Sequence, residues 1–173
     1  PYGNSPAEFS HLDLRGRNII LATSNGTRAL ARAAGATTVL AGSLLNRTAV
    51  AHAALAEALR RGADLTFLCA GTDFGRTFSL EDTAVCGAII EQVVAAHDGP
   101  LGDLTLTDGA MAAYRLWRSY TSARLLLGES NHGQTLARLG LEADLDFCAQ
   151  TDVYPVVPYL ERRPDGLLVL RAR

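Results

Sequence analysis

Three short apolar runs near the start of the chain each stop abruptly in small, polar and glycine residues. Ile19-Ile20-Leu21-Ala22 leads into Thr23-Ser24-Asn25-Gly26-Thr27, and Val39-Leu40-Ala41 into Gly42-Ser43-Leu44-Leu45-Asn46. Leu65-Thr66-Phe67-Leu68-Cys69 leads into Ala70-Gly71-Thr72-Asp73-Phe74-Gly75. Alanine-rich stretches with helical spacing follow the first two. Strand-length runs alternating with helical segments predict β-α-β-α-β and a parallel sheet. Ligands of such sheets bind beyond the carboxyl ends of the strands. All three ends here carry hydrogen-bonding groups and little bulk, so the pattern predicts a site for a small anion.

The spacing predicts strands over 19–23, 37–41 and 65–69 and helices over 26–35, 47–61, 80–96 and 108–118. Asp98-Gly99-Pro100 is expected to stop the third of these helices. Residues 120–127 fit helix or strand equally. Ser130 opens a further helix closed by Gly140, and 141–149 reads as helical. Residues 153–160 and 167–170 read as strands joined by an Asp165-Gly166 turn. Pro155 and Pro158 mark the first of these as an edge strand. The expected fold is α/β in class: a parallel β-α-β-α-β core in a mixed sheet, flanked by helices in α/β/α layers, with C-terminal edge strands. One domain accounts for residues 1–173, with residues 1–18 as loop and turn. The opening Pro1-Tyr2-Gly3-Asn4-Ser5-Pro6 reads as a turn in mid-protein.

The bulk properties narrow the function classes. Net charge is −2 with no basic block, which argues against a nucleic-acid partner. No apolar run approaches membrane-spanning length and no signal peptide is visible. Every basic residue is arginine. A Schiff-base or P-loop lysine is thereby excluded, and any cation aimed at an anion is a guanidinium. Cys69, Cys86 and Cys148 are odd in number and widely spaced, which predicts free thiols in a reduced, cytoplasmic setting. The sequence leaves a homodimer open.

Each motif has a functional and an ordinary reading. Thr23, Asn25, Gly26 and Thr27 could cradle an anion with hydroxyls and helix N–H groups, or simply cap a helix. Ser79-Leu80-Glu81-Asp82 opens the long helix. Glu81 and Asp82 could hold a magnesium ion, which usually takes one or two carboxylates plus waters and phosphate. The pattern alone favours a cap, with acids placed against the helix dipole. Cys86 shares a helix face with Asp82 and could be a nucleophile, although core packing is the ordinary fate of such a residue and of Cys69. His132 could act as a general acid or base, or be merely solvated. Arg28 and Arg76 flank the polar loops and could clamp an anion, surface exposure being their ordinary role.

Taken in order, these segments resemble a known family. The resemblance rests on Gly3-Asn4-Ser5-Pro6, Thr23-Ser24-Asn25-Gly26-Thr27, Gly42-Ser43-Leu44-Leu45-Asn46, Cys69-Ala70-Gly71, Ser79-Leu80-Glu81-Asp82 with Cys86-Gly87, His132-Gly133, Asp146-Phe147-Cys148-Ala149 and Val157-Pro158. The series is similar to that of the 2-phosphosulfolactate phosphatases of coenzyme M synthesis. The resemblance implies an α/β phosphatase dependent on Mg²⁺, acting on small 2-phospho acids with a second anionic group. The family's N-terminal motif, an Asp-containing segment rich in Arg, Ala and Thr, has no counterpart here. The chain therefore resembles the C-terminal major part of a longer phosphatase.

On this reading Glu81 and Asp82 hold or orient the metal. Thr23, Asn25, Gly26 and Thr27 cradle the phosphate or second anion, with Asn46 and Gly71 completing the pocket. His132 protonates the leaving alkoxide. A cysteinyl-phosphate at Cys86 is the alternative mechanism. A non-catalytic anion-binding module, or an inactive fragment with a sheet edge left for another segment, is the alternative role.

Overall fold

The structure, a computed structural model, describes residues 2–97 and 104–172. The expected stop at Asp98-Gly99-Pro100 lies outside them. Among the described residues the fold is α/β, with eight α-helices and a small antiparallel sheet: α1 (Pro6–Phe9), α2 (Gly26–Ala33), α3 (Arg47–Arg61), α4 (Leu80–Ala96), α5 (Asp108–Ser119), α6 (Ala123–Glu129), α7 (Asn131–Arg138), α8 (Glu142–Cys148), β1 (Pro158–Arg162) and β2 (Leu168–Ala172).

Helix α4 is the axis of the molecule. It buries Ala84, Gly87, Ala88, Ile89, Ile90 and Val93, so apolar residues occupy several faces, as expected of an enclosed helix. On one side Ile89 and Val93 pack with Val50, Ala51 and Leu55 of α3 and with Val157. On another, Ala84 joins Leu126, Leu127 and Leu145 of α6 and α8. Helix α5 crosses close to Gly87, where a Cβ would collide with the Ala113 carbonyl.

The parallel pairing expected of the three apolar runs is not seen among the described residues. None forms a ladder with another among the described residues. Only the second is paired: Leu40 bridges Tyr159 in antiparallel sense, with Leu160 N–H donating to Val39 O (2.9 Å) and Ala41 N–H to Pro158 O (3.0 Å). The third alternates as a strand does, Leu65 and Phe67 facing the core and Thr66 and Leu68 facing outward. Among the described residues no backbone–backbone hydrogen bond reaches 64–70. The first is largely bare, Ile20 being 96% exposed. Local periodicity sets which way side chains point, whereas pairing requires a neighbouring strand that periodicity does not encode.

The expected edge strands form a hairpin, Pro158 opposite Ala172 through Arg162 opposite Leu168. Gly166 takes φ +84° in its turn, as a short hairpin loop requires. The first strand begins at Pro158 rather than at 153. Residues 152–154 instead dock on the loop before α3, with Asp152 N–H donating to Leu44 O (3.0 Å) and Tyr154 N–H to Leu45 O (2.9 Å). The ambiguous segment 120–127 yields the start of α6, whose first turn is capped by Ser122.

Candidate active site

Of the expected site residues, Glu81, Asp82 and Cys86 lie on the first turns of α4, and Gly71 is bonded to Asp82. Ser79 caps this helix, its Oγ accepting from Asp82 N–H at 3.1 Å. The cap leaves the Asp82 carboxylate free to reach across to the turn after the third apolar run, where Oδ2 accepts from Gly71 N–H at 2.8 Å. Gly71 has φ +70°, and a Cβ there would stand 2.9 Å from Thr77 O, so the turn depends on glycine. Burial raises the Asp82 carboxyl above its ordinary value, the neighbouring Glu81 charge adds to the rise, and the Gly71 N–H offsets only part of it.

The same turn brings two thiols together. Cys69 Sγ lies 3.6 Å from Cys86 Sγ and 3.9 Å from Thr83 Oγ1. The hydrogen bond from Cys86 lowers the Cys69 thiol to about 7, against burial and the Asp82 charge. That bond and burial push Cys86 upward. Cys86 is therefore held as a neutral donor, and the thiolate of the pair is the exposed Cys69. Cys86, the nucleophile of the alternative mechanism, is the less exposed of the two thiols, which helical spacing alone does not show.

Loop 71–78 also reaches α2. Phe74 N–H donates to Asn25 Oδ1 (2.9 Å), and the Arg28 guanidinium lies 5.4 Å from the Phe74 ring. Thr23 takes over the capping that Asn25 leaves undone. Its Oγ1 accepts from Thr27 N–H at 3.0 Å, and the Thr27 hydroxyl donates back to Thr23 O at 2.8 Å. The first loop, the third loop and α4 are thus one connected structure. The second loop joins it through Gly42, where a Cβ would meet Ile89 Cδ1 of α4 at 2.6 Å.

A cavity of about 910 Å³ lies between α2, α3, α4 and the stretches 36–44 and 63–70. Its walls are mostly apolar, and Ser43, Cys69, Glu81, Asp82 and Cys86 are among the polar groups on it. A largely apolar cleft with a few convergent polar groups is the common form of a small-molecule site.

Two expected residues stand apart. Asn46 is buried and fully engaged in holding its loop: Oδ1 accepts from Ser43 N–H (2.8 Å) and Oγ (3.0 Å), while Nδ2 donates to Val156 O (2.9 Å) and Ala41 O (3.3 Å). His132 is exposed in the first turn of α7, which packs on α6 and α8, and it does not line the cavity. Ser130 caps that helix as expected. Sequence reasoning overlooked Asp144, a buried carboxylate that accepts from Ser5 Oγ (2.6 Å) and Ala7 N–H (3.1 Å) and so ties α1 to α8. An acid in a helical first turn gives no hint of such a long-range bond. It also overlooked Asp152, which accepts from Arg47 Nε (2.9 Å) and Thr48 N–H (2.8 Å).

Among the described residues no group of three His, Cys, Asp or Glu side chains gathers as a metal site. Glu81 and Asp82 form an adjacent pair in which burial already disfavours a second negative charge. Two carboxylates of this kind fit a divalent cation that draws its other ligands from water and a substrate phosphate.

Comparison with known proteins identifies the family. Residues 1–163 match the family described as 2-phosphosulpholactate phosphatase. A probable 2-phosphosulfolactate phosphatase of Thermosynechococcus vestitus is 40% identical over 158 residues, covering 91% of this chain and 63% of that protein. One from Symbiobacterium thermophilum is 43% identical over 157 residues (90% and 63%), and one from Deinococcus radiodurans 41% over 159 (91% and 62%). The chain spans a little under two thirds of the length of these relatives. A match over nearly its whole extent establishes that the chain belongs to the 2-phosphosulpholactate phosphatase family.

Proposed function

We propose that the protein carrying this chain is a cytoplasmic, Mg²⁺-dependent phosphatase that converts 2-phosphosulfolactate to sulfolactate and phosphate. The observation that carries the reading is the hydrogen bond from Gly71 N–H to Asp82, which seats this carboxylate, next in sequence to Glu81, beside the turn that follows the third apolar run. The substrate is that named for the related probable 2-phosphosulfolactate phosphatases. The three apolar runs belong, on this proposal, to one parallel sheet of the whole protein, with their polar ends on a common edge.

Glu81 and Asp82 would hold the magnesium, directly or through water. When bound, the ion polarises a phosphoryl oxygen and lowers the pKa of water. Thr23 accepts from Thr27 N–H yet keeps its own hydroxyl proton, which is available to an anion. Gly26 lets a bulky oxyanion approach the first turn of α2, and Asn25 offers its Nδ2 while its Oδ1 holds loop 71–78 in place. Thr27 contributes by position, since its hydroxyl donates to Thr23 O. Asn46 shapes the second loop from behind. His132 has no part in this proposal.

Phosphate release from 2-phosphosulfolactate and from phospholactate, with Mg²⁺ and with EDTA, tests the reading on the full-length protein and on the 173-residue chain. Metal-dependent release that prefers the sulfonate is the expected result. Phosphate binding without turnover by the full-length protein would replace the phosphatase with an anion-binding module.

A further inference from the structure

We infer that Cys69 and Cys86 are a peroxide-reactive thiol pair, Cys69 the residue oxidised and Cys86 the residue that resolves it into an intramolecular disulfide. The inference concerns thiol chemistry at one place in the fold and is independent of the phosphatase reading.

The geometry supplies each requirement. The sulfurs stand 3.6 Å apart, and a disulfide needs about 2.05 Å. The remaining approach falls on Cys69, because no backbone–backbone hydrogen bond among the described residues fixes 64–69, and the nearest anchors are the Ala70 and Gly71 N–H groups held by the Asp82 carboxylate. A stretch without such bonds shifts readily, whereas Cys86 is set in α4. Access is one-sided in the useful sense: Cys69 is exposed and Cys86 lies behind it. The hydrogen bond from Cys86 favours the thiolate at Cys69, the form that reacts with peroxide. Cys148 lacks a thiol neighbour of this kind among the described residues and serves as an internal control.

The chemistry balances with a hydroperoxide as oxidant. Cys69 thiolate attacks a peroxide oxygen, forming S–O and breaking O–O, and the departing hydroxide takes up a proton as water. Cys86 then gives up its proton, and its sulfur attacks the Cys69 sulfur, forming S–S and breaking S–O. The released hydroxide leaves as a second water. Two thiols lose two electrons and two protons, and hydrogen peroxide is reduced to two waters. A thiol reductant restores the pair by exchange.

The test is to treat the folded protein with stoichiometric hydrogen peroxide and digest it with trypsin without reduction. The expected product is a crosslink between the peptides 62–76 and 77–115, which carry Cys69 and Cys86. The thiol titre of the denatured protein should fall from three to one and return to three with dithiothreitol. In Cys86→Ser, Cys69 should stop at the sulfenic acid and become trappable by dimedone; in Cys69→Ser, Cys86 should stay unmodified. Melting curves of both variants, matched to the parent, establish that these outcomes report chemistry rather than unfolding. A crosslink to Cys148, disulfides only between molecules, or oxidation of Cys86 in Cys69→Ser would each overturn the inference.

Discussion

At the scale of single residues, the start of α4 combines a cap, which the sequence announces, with a carboxylate whose partner it does not. Ser79 was readable from its spacing to Asp82, but the turn of Asp82 toward Gly71 depends on a contact eleven residues away. Because the folded state raises the Asp82 pKa, it favours the proton. Stability from this group is present below its unfolded value and is lost as pH climbs through its folded one. Asp82→Asn should therefore leave the melting temperature unchanged or higher. The same substitution should lower metal-dependent phosphate release by about 100-fold or more. A fall in melting temperature without loss of turnover would assign Asp82 to packing alone. Cys69 titrates in the opposite direction. Alkylation by iodoacetamide should accelerate as pH rises through about 7, and Cys86→Ala should move that midpoint upward, since the thiol donor is then lost.

At the scale of elements, the helices and the C-terminal hairpin were legible, and the pairing of the three apolar runs was not. Helix α3 occupies the expected Arg47–Arg61 and α4 the expected Leu80–Ala96, because caps and apolar spacing are local signals. Helix α1 was missed although Ser5 caps it and Pro6 opens it, since four residues show no periodicity. The three polar loops were legible as a set, while their use differs residue by residue. Asn46, expected to complete the pocket, holds four hydrogen bonds, three within its own loop and one to Val156 O. Asn46→Ala should cost about 2 kcal/mol in denaturant titration through buried groups left unbonded. Substrate binding by the folded fraction should change little, and a selective rise in KM at unchanged stability would return Asn46 to the substrate. Gly87→Ala should destabilise by about 2 kcal/mol or more, because α5 must move away from the Ala113 contact. A parent-like denaturation midpoint would show that the α4–α5 crossing yields at no cost.

At the scale of the whole molecule, the first and third apolar runs leave Ile19, Ile20, Leu21 and Leu68 more than half exposed, and 64–69 makes no backbone–backbone hydrogen bond among the described residues. Exposed strand-like segments of this kind recruit other strands. The 173-residue chain should show an apparent mass that increases with concentration in size-exclusion light scattering, and Ile20→Lys with Leu68→Lys should reduce it. A monodisperse monomer at high concentration would show that these runs are not adhesive. The enclosed helix has a different consequence, one for anyone redesigning the scaffold. Helix α4 presents Glu81 and Asp82 on its first turn and is walled in by α3, α5 and α6 over much of its remaining length. Changes to its sequence disturb foundations and chemistry together. Residues 73–78, exposed throughout and tied to α2 through Asn25, are the replaceable part. New anion preferences are best sought by rewriting that loop while α4 is kept untouched.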